Sequence, residues 1–199
     1  MTDTAQSGGL LARVLGVLAG LFAPKKPAEV PAPVLTAAPV LDPLDLAAPL
    51  VKEAEGLRLN AYLCPAGLPT IGWGHTRGVR LGQAITRDQA EVYLREDMAE
   101  ALAIVDRAVK VSLSAHQRAA LASFVFNVGP GKVGVKDGFV TLKSGEPSTM
   151  LRLLNAGRHT DAVEQFPAWT KATVKGKRVE LPGLVKRRAA ERALFLTPD

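Results

Sequence analysis

An acid, a thiol and a hydroxyl follow one another at short spacing between Glu55 and Thr76: Glu55, then Cys64, then Thr70. Cleavage of an acetal by water needs an acid that protonates the leaving oxygen and, opposite it, a group that orients the attacking water. A glutamic acid faced across a turn by two small polar side chains can supply both. Glu55 must hold a proton at working pH, so partial burial that lifts its pKa above the ordinary value of about 4.3 is expected. Cys64 has two readings, because a thiol with an ordinary pKa of about 8.5 is mostly neutral at pH 7: a thiolate base, or a neutral hydrogen-bonding holder of the water.

The flanking residues suggest how these three are positioned. Gly56 directly after Glu55 suits the positive φ that ends many helices, so Glu55 projects from a last helical turn. Leu57, Leu59, Ala61 and Leu63 alternate with Arg58, Asn60 and Tyr62 at the strand period, and the turn Cys64, Pro65, Ala66, Gly67 interrupts it. A second strand then returns to Gly72, Gly74 and His75. Cys64 and Thr70 flank the turn on opposite arms.

Upstream, Pro49 suits the first turn of the short helix that ends at Glu55. Downstream, Thr86 with Gln89 and Ser114 with Gln117 form capping-box pairs. The first opens a long helix to about Ala108, with Leu94, Met98, Ala101, Val105 and Ala108 along one face. The second opens a helix through Phe126 that is apolar nearly all round, which implies burial on every side. Gly129, Pro130 and Gly131 stop it. Residues 132 to 147 read as a loop or small hairpin, Ser148 starts a short helix ending at Gly157, and Thr160 to Trp169 reads as a further helix. Lys171 to Arg178 reads as a basic loop, with Pro182 and Gly183 preceding the last helix.

The chain has 199 residues, 47% of them hydrophobic and 22% charged, which suits one globular domain with an appended segment. Lysine and arginine exceed aspartate and glutamate by 25 to 19, and all of the excess lies after residue 48. A basic face suits nucleic acid, anionic lipid or the anionic cell envelope, and charge alone does not choose among them. Basic residues without interleaved aromatics or a recognised motif argue against nucleic acid. The single cysteine excludes an internal disulfide. No cluster has metal-ligand spacing, so neither a metal nor another cofactor is expected.

The spacing of Glu55, Cys64 and Thr70, followed by IGWGHT, resembles the catalytic segment of the phage-type lysozymes, the muramidase endolysins of glycoside hydrolase family 24. The likeness continues through SLSAHQRAALASFVFNVGPG (112 to 131), STMLRLLNAG (148 to 157) and GLVKRRAAERALF (183 to 195), covering residues 49 to 196. The resemblance implies an α+β, lysozyme-like fold in which a small β-hairpin lobe is joined by a long helix to a mainly helical C-terminal lobe. It also implies hydrolysis of the bond between N-acetylmuramic acid and N-acetylglucosamine in peptidoglycan, with Glu55 as general acid and Cys64 and Thr70 placing the water. Many family members carry aspartate where this chain has Cys64, and that departure keeps both readings of the thiol open.

Late basic residues of the family fold back on the catalytic acid, which makes Arg187 or Arg188 the candidates here; such a partner opposes the expected rise in the Glu55 pKa. His75 can act as a base, but a structural pairing with a carboxylate on the long helix is the expected role. Trp73 and Asn127 are candidates for binding sugar, whereas Phe126 and Trp169 suit core packing. The protein is expected to act as a monomer on peptidoglycan glycan strands.

Two other functions compete: a lytic transglycosylase, whose reaction needs no water site, and a wall-binding module that lost catalysis with the change to cysteine. The N-terminal residues 9 to 23, GLLARVLGVLAGLFA, are apolar apart from Arg13. As a helix they reach only about 22 Å, short of a hydrocarbon core of about 30 Å. Ala12, Gly16 and Gly20 form a small-residue stripe. The segment (within residues 1 to 23) has three readings: a signal-arrest-release anchor with transient inner-membrane association, an amphipathic or self-associating helix, and a leader without structure. A proline-rich linker is expected over 24 to 48 and the catalytic domain over 49 to 199. The implied setting is a phage or prophage product, made in the host cytoplasm and acting in the periplasm on the cell wall.

Overall fold

The computed structural model describes residues 41–64, 67–174 and 176–198. The apolar segment 9–23, the linker up to residue 40, and Pro65 and Ala66 of the expected turn lie outside the described residues.

Helix α1 runs Pro43–Glu55. Asp42 caps it by accepting the Leu44 N–H at 2.8 Å, and Pro43 occupies the first position, where the missing N–H is no loss. The helix therefore starts earlier than expected: residues 43 to 48 are helical rather than linker, and Pro49 lies inside the helix rather than in its first turn. An interior proline costs a helix about 3 kcal/mol. Burial of Ala47 and Val51 and the grip of Arg95 on both Asp42 (2.6 Å) and Asp45 (2.8 Å) offset this cost. The far end is as expected, with Gly56 at φ +68° closing the helix after Glu55.

Strands β1 (Arg58–Leu63) and β2 (Pro69–Gly72) pair antiparallel, Arg58 opposite Gly72 and Tyr62 opposite Thr70. The register slips between those pairs because Leu59 and Ala61 turn to a third segment, bonding Ile85 N–H and Gln83 C=O at 2.9 Å each. The alternation in β1 does not translate into one buried face: Leu59 and Leu63 are exposed, and it is β2 that lies inward with Thr70, Ile71 and Gly72 buried.

Helix α2, Arg87–Ala108, and helix α3, Ala115–Val128, both begin with the complete capping boxes read from the sequence. The long helix serves two cores. Ala90, Leu94 and Met98 pack with Ala47, Val51, Trp73 and Ala119, whereas Ala101 and Val105 pack with Leu121, Phe124, Phe139 and Phe166. Seven consecutive residues of α3, from Ala119 to Val125, are buried, which is why that helix shows no apolar stripe. Phe126 and Leu194 pack against both cores.

Residues 132–147 form a loop closed by isolated bridges Lys132 to Lys136 and Thr141 to Pro147. Helix α4 (Thr149–Asn155) follows its Ser148 cap. The expected helix over 160 to 169 divides into α5 (His159–Val163) and a 3-10 turn (Phe166–Trp169), since Pro167 lacks the N–H that a continuous helix would need. The expected basic loop is instead a hairpin, β3 (Lys171–Val174) against β4 (Lys177–Glu180), turning at Gly176 with φ +77°. Thr173, Val174 and Val179 favour the strand over the loop that their charged neighbours suggest. The last helix, α6 (Pro182–Leu196), takes Pro182 as its first residue.

Candidate active site

Glu55 is the last residue of α1, its side chain 26% exposed and its carboxylate beside Gly74. A β-carbon added to Gly74 would lie 3.6 Å from Glu55 Oε2 and 4.0 Å from the Phe126 ring. Gly74 has φ +95°, so the turn after β2 both needs glycine and exposes its backbone to the acid. A cleft of about 360 Å³ opens beside Gly74, between the turn after β2, the middle of α2 and the C-terminal end of α3, lined by Gly74, Thr76, Asp97, Ala101 and Phe126; Glu55, Cys64 and Thr70 are not among its lining residues. A larger cavity of about 600 Å³ between α1 and α2 contains none of the candidate catalytic residues.

Arg187 from α6 donates to Glu55 Oε1 through Nη1 at 2.5 Å. Its other two nitrogens are also committed, Nε to Glu191 Oε1 and Nη2 to the Ser123 carbonyl, both at 3.1 Å. Arg187 is therefore the partner, and Arg188 is not. Arg188 Nη2 donates to Asn127 Oδ1 at 2.9 Å and to Glu191 Oε1 at 3.2 Å. Burial lowers the Arg188 pKa to about 10, which still leaves it a cation at neutral pH, and burial also pushes the Glu191 carboxyl up. Sequence reasoning overlooked Glu191 and Ser123. The visible signal was spacing, since Glu191 stands three and four residues past the two arginines, on one helix face.

Across the hairpin, Thr70 is buried and its hydroxyl donates to the Leu68 carbonyl at 3.0 Å. The Cys64 N–H donates to the same oxygen, also at 3.0 Å. One carbonyl thus draws Cys64 and Thr70 together on facing arms. With its proton committed, the Thr70 oxygen has lone pairs left to accept a hydrogen bond. Cys64 is half-buried.

His75 pairs with a carboxylate on α2. Its Nδ1 is 2.8 Å from Asp97 Oδ2 on α2 and its Nε2 is 2.9 Å from the Arg77 carbonyl. Tyr93 stacks on the imidazole with centroids 4.3 Å apart. Reciprocal 2.9 Å bonds between the Ile71 and His75 backbones then tie this anchor to β2, one residue from Thr70.

Trp73 is corrected by the structure. Only 5% exposed, it packs in the small-lobe core beneath Lys52, whose Nζ lies 5.0 Å over the ring, so it offers no face to a sugar. Asn127 is exposed, but its side-chain oxygen is engaged by Arg188. Phe126, assigned to the core, also borders the acid. Trp169 is a core residue, edge-on to Phe124 at 5.4 Å. Among the described residues, no group of three or more His, Cys, Asp or Glu side chains could hold a metal ion.

A sequence profile described as Phage lysozyme matches residues 52–191. The chain belongs to the phage lysozyme family. It is 47% identical over 146 residues to an endolysin of Acyrthosiphon pisum secondary endosymbiont phage 1, an alignment covering 73% of this chain and 92% of that protein. It is 35% identical over 145 residues to a SAR-endolysin of Pseudomonas phage phiKMV, covering 73% and 82% of the two chains. Among solved structures, the muramidase domain of SpmX from Asticaccaulis excentricus superposes with a TM-score of 0.64 at 33% identity, covering 81% of this chain and 100% of that one. The α+β fold of this phage lysozyme is thus that of a muramidase, with the small hairpin lobe and the helical lobe joined by α2.

Proposed function

We propose that this phage lysozyme is an endolysin that hydrolyses the β-1,4 bond between N-acetylmuramic acid and N-acetylglucosamine in bacterial peptidoglycan, for host cell lysis. The observation that carries the reading is a carboxyl group held by Arg187 against Gly74, a residue that lines a cleft, beside a hairpin where the Cys64 backbone N–H and the Thr70 hydroxyl meet on one carbonyl. Glu55 gives its proton to the glycosidic oxygen as the bond from that oxygen to the anomeric carbon breaks, and the bonding electron pair leaves with the oxygen. A water held by Thr70 and Cys64 attacks the carbon. Because the Thr70 hydroxyl has already donated its hydrogen to Leu68, it accepts one from the water, which leaves a water lone pair directed away from the threonine. The water's surplus proton passes to solvent, and Glu55 regains its own from there. Cys64 serves in this scheme as a neutral holder, since the geometry asks only for a hydrogen-bonding partner on the arm opposite Thr70. Mass spectrometry of digested peptidoglycan tests the chemistry: reducing ends are expected, and 1,6-anhydro ends would indicate a lytic transglycosylase instead.

Residues 9–23 are proposed to give transient inner-membrane association before release to the wall. Support comes from their apolar composition broken by Arg13 and by Gly16 and Gly20, and from the likeness of the chain to a SAR-endolysin. No helix of the described residues is long and apolar enough to cross a membrane. Fractionation of cells expressing the full chain should find it in the membrane first and in the periplasm after depolarisation; recovery from the cytosol throughout would end this part of the proposal.

A further inference from the structure

We infer that Glu191 is a positioning residue of the reaction, acting through Arg187 to aim the Glu55 carboxyl at the cleft, with Ser123 as its fixed support. The inference rests on Glu55 being the general acid.

Glu191 is 0% exposed, and three donors converge on its Oε1: Ser123 Oγ at 2.8 Å, Arg187 Nε at 3.1 Å and Arg188 Nη2 at 3.2 Å. Its Oε2 lies 2.9 Å from Arg188 Nε, in ion-pair contact but out of line for a hydrogen bond. A buried carboxylate is costly, and a helix that needed only to pack would carry an apolar residue there. What this carboxylate adds is direction. A guanidinium is a planar fork, so fixing Nε on Glu191 and Nη2 on the Ser123 carbonyl leaves Nη1 a single line along which to meet Glu55. The anchor itself is held from α3 by the Ser123 hydroxyl, so its place depends on two helices rather than on the rotamers of α6 alone. Glu191 faces both arginines, and of the two it is Arg187 that reaches on to Glu55.

The test is a double-mutant cycle on soluble peptidoglycan oligomers, measuring kcat and KM separately alongside thermal unfolding. Glu191→Gln keeps the shape and the Oε1 acceptor but removes the charge. It should lower kcat about tenfold with KM within twofold of wild type. Arg187→Lys should lower kcat similarly, and adding Glu191→Gln to it should change kcat by less than twofold, because the second residue works through the first. Ser123→Ala, which removes one donor and no charge, keeps the cycle readable if Glu191→Gln fails to fold, and it should give a smaller kcat loss in the same direction. Independent, multiplicative losses in the double variant, or wild-type kcat in both Glu191→Gln and Ser123→Ala, would overturn the inference. Wild-type protein and Glu55→Gln are measured beside them: an active Glu55→Gln would instead overturn the assignment of the acid, whatever Glu191 does.

Discussion

Separating His75 from Asp97 should loosen the hairpin and carry Thr70 with it. Asp97→Ala removes the acceptor 2.8 Å from a ring nitrogen of a residue only 6% exposed. Leaving a buried donor unsatisfied costs about 1–3 kcal/mol. Arg77 also loses its 3.2 Å contact with Asp97, but that side chain is exposed to solvent and keeps Glu100, so the loss there is minor. A loss of about 2 kcal/mol in a domain of ~150–250 residues lowers Tm by about 4–8 °C. Because the Ile71 and His75 backbones are bonded to each other, displacement of the ring moves β2, and misplacement of about 1 Å near the chemistry can cost ~100-fold in rate. The assay is a thermal-unfolding cycle with His75→Phe, which retains a ring over Tyr93, and Asp97→Ala, each variant also tested for lysis of chloroform-treated cells. A coupling energy of about 1–2 kcal/mol between the two is expected. Additive effects, or single variants that melt with wild type, would show that the contact does not hold the hairpin.

Trp73→Ala should destabilise the small lobe by about 3–5 kcal/mol through the cavity it leaves, as measured by denaturant unfolding, while KM stays near wild type. An unchanged Tm with a raised KM would return the ring to the sugar site. Cys64→Asp should remain active and Thr70→Ala should lose most of its activity in zymograms of peptidoglycan; Cys64→Ser tests whether a neutral holder suffices, and an inactive Cys64→Ser with an active Cys64→Asp would favour the charged base. Asp42 is held below its usual carboxylate pKa, first by the Leu44 N–H and then by Arg95. The stability it gives α1 is thus present above its unfolded value and is lost as pH falls below about 4. Asp42→Ala should cost about 1 kcal/mol at pH 7 and less than wild type loses on acidification, seen in Tm against pH.

The elements that position the acid were legible where the signal was local. Both capping boxes, Gly56 after Glu55 and the all-round apolar run of α3 are statements that a few neighbouring residues make about themselves, and each element formed where they stood. The misjudged features depended on distant partners. Pro49 lies within α1, whose Ala47 and Val51 are buried against other helices and whose start is held by Arg95 from α2. The β3 and β4 strands pair although their charges suggest a loop, because cross-strand register outweighs composition. Trp73 shows the same limit at the site. An aromatic face suits a pyranose ring, and only the packing of α1 and α2 shows that Trp73 is buried. The spacing of Glu191 from the two arginines was visible in the sequence, but its bond to Ser123, 68 residues away in the chain, was not.

Digestion of purified peptidoglycan in water enriched with oxygen-18, by wild-type protein and by Glu55→Gln, tests the assignment most directly. Wild-type protein should release fragments with reducing N-acetylmuramic acid ends, each carrying one solvent oxygen, and Glu55→Gln should release none above background. Equal release by Glu55→Gln, or ends without solvent oxygen, would contradict a protonated Glu55 acting with a held water.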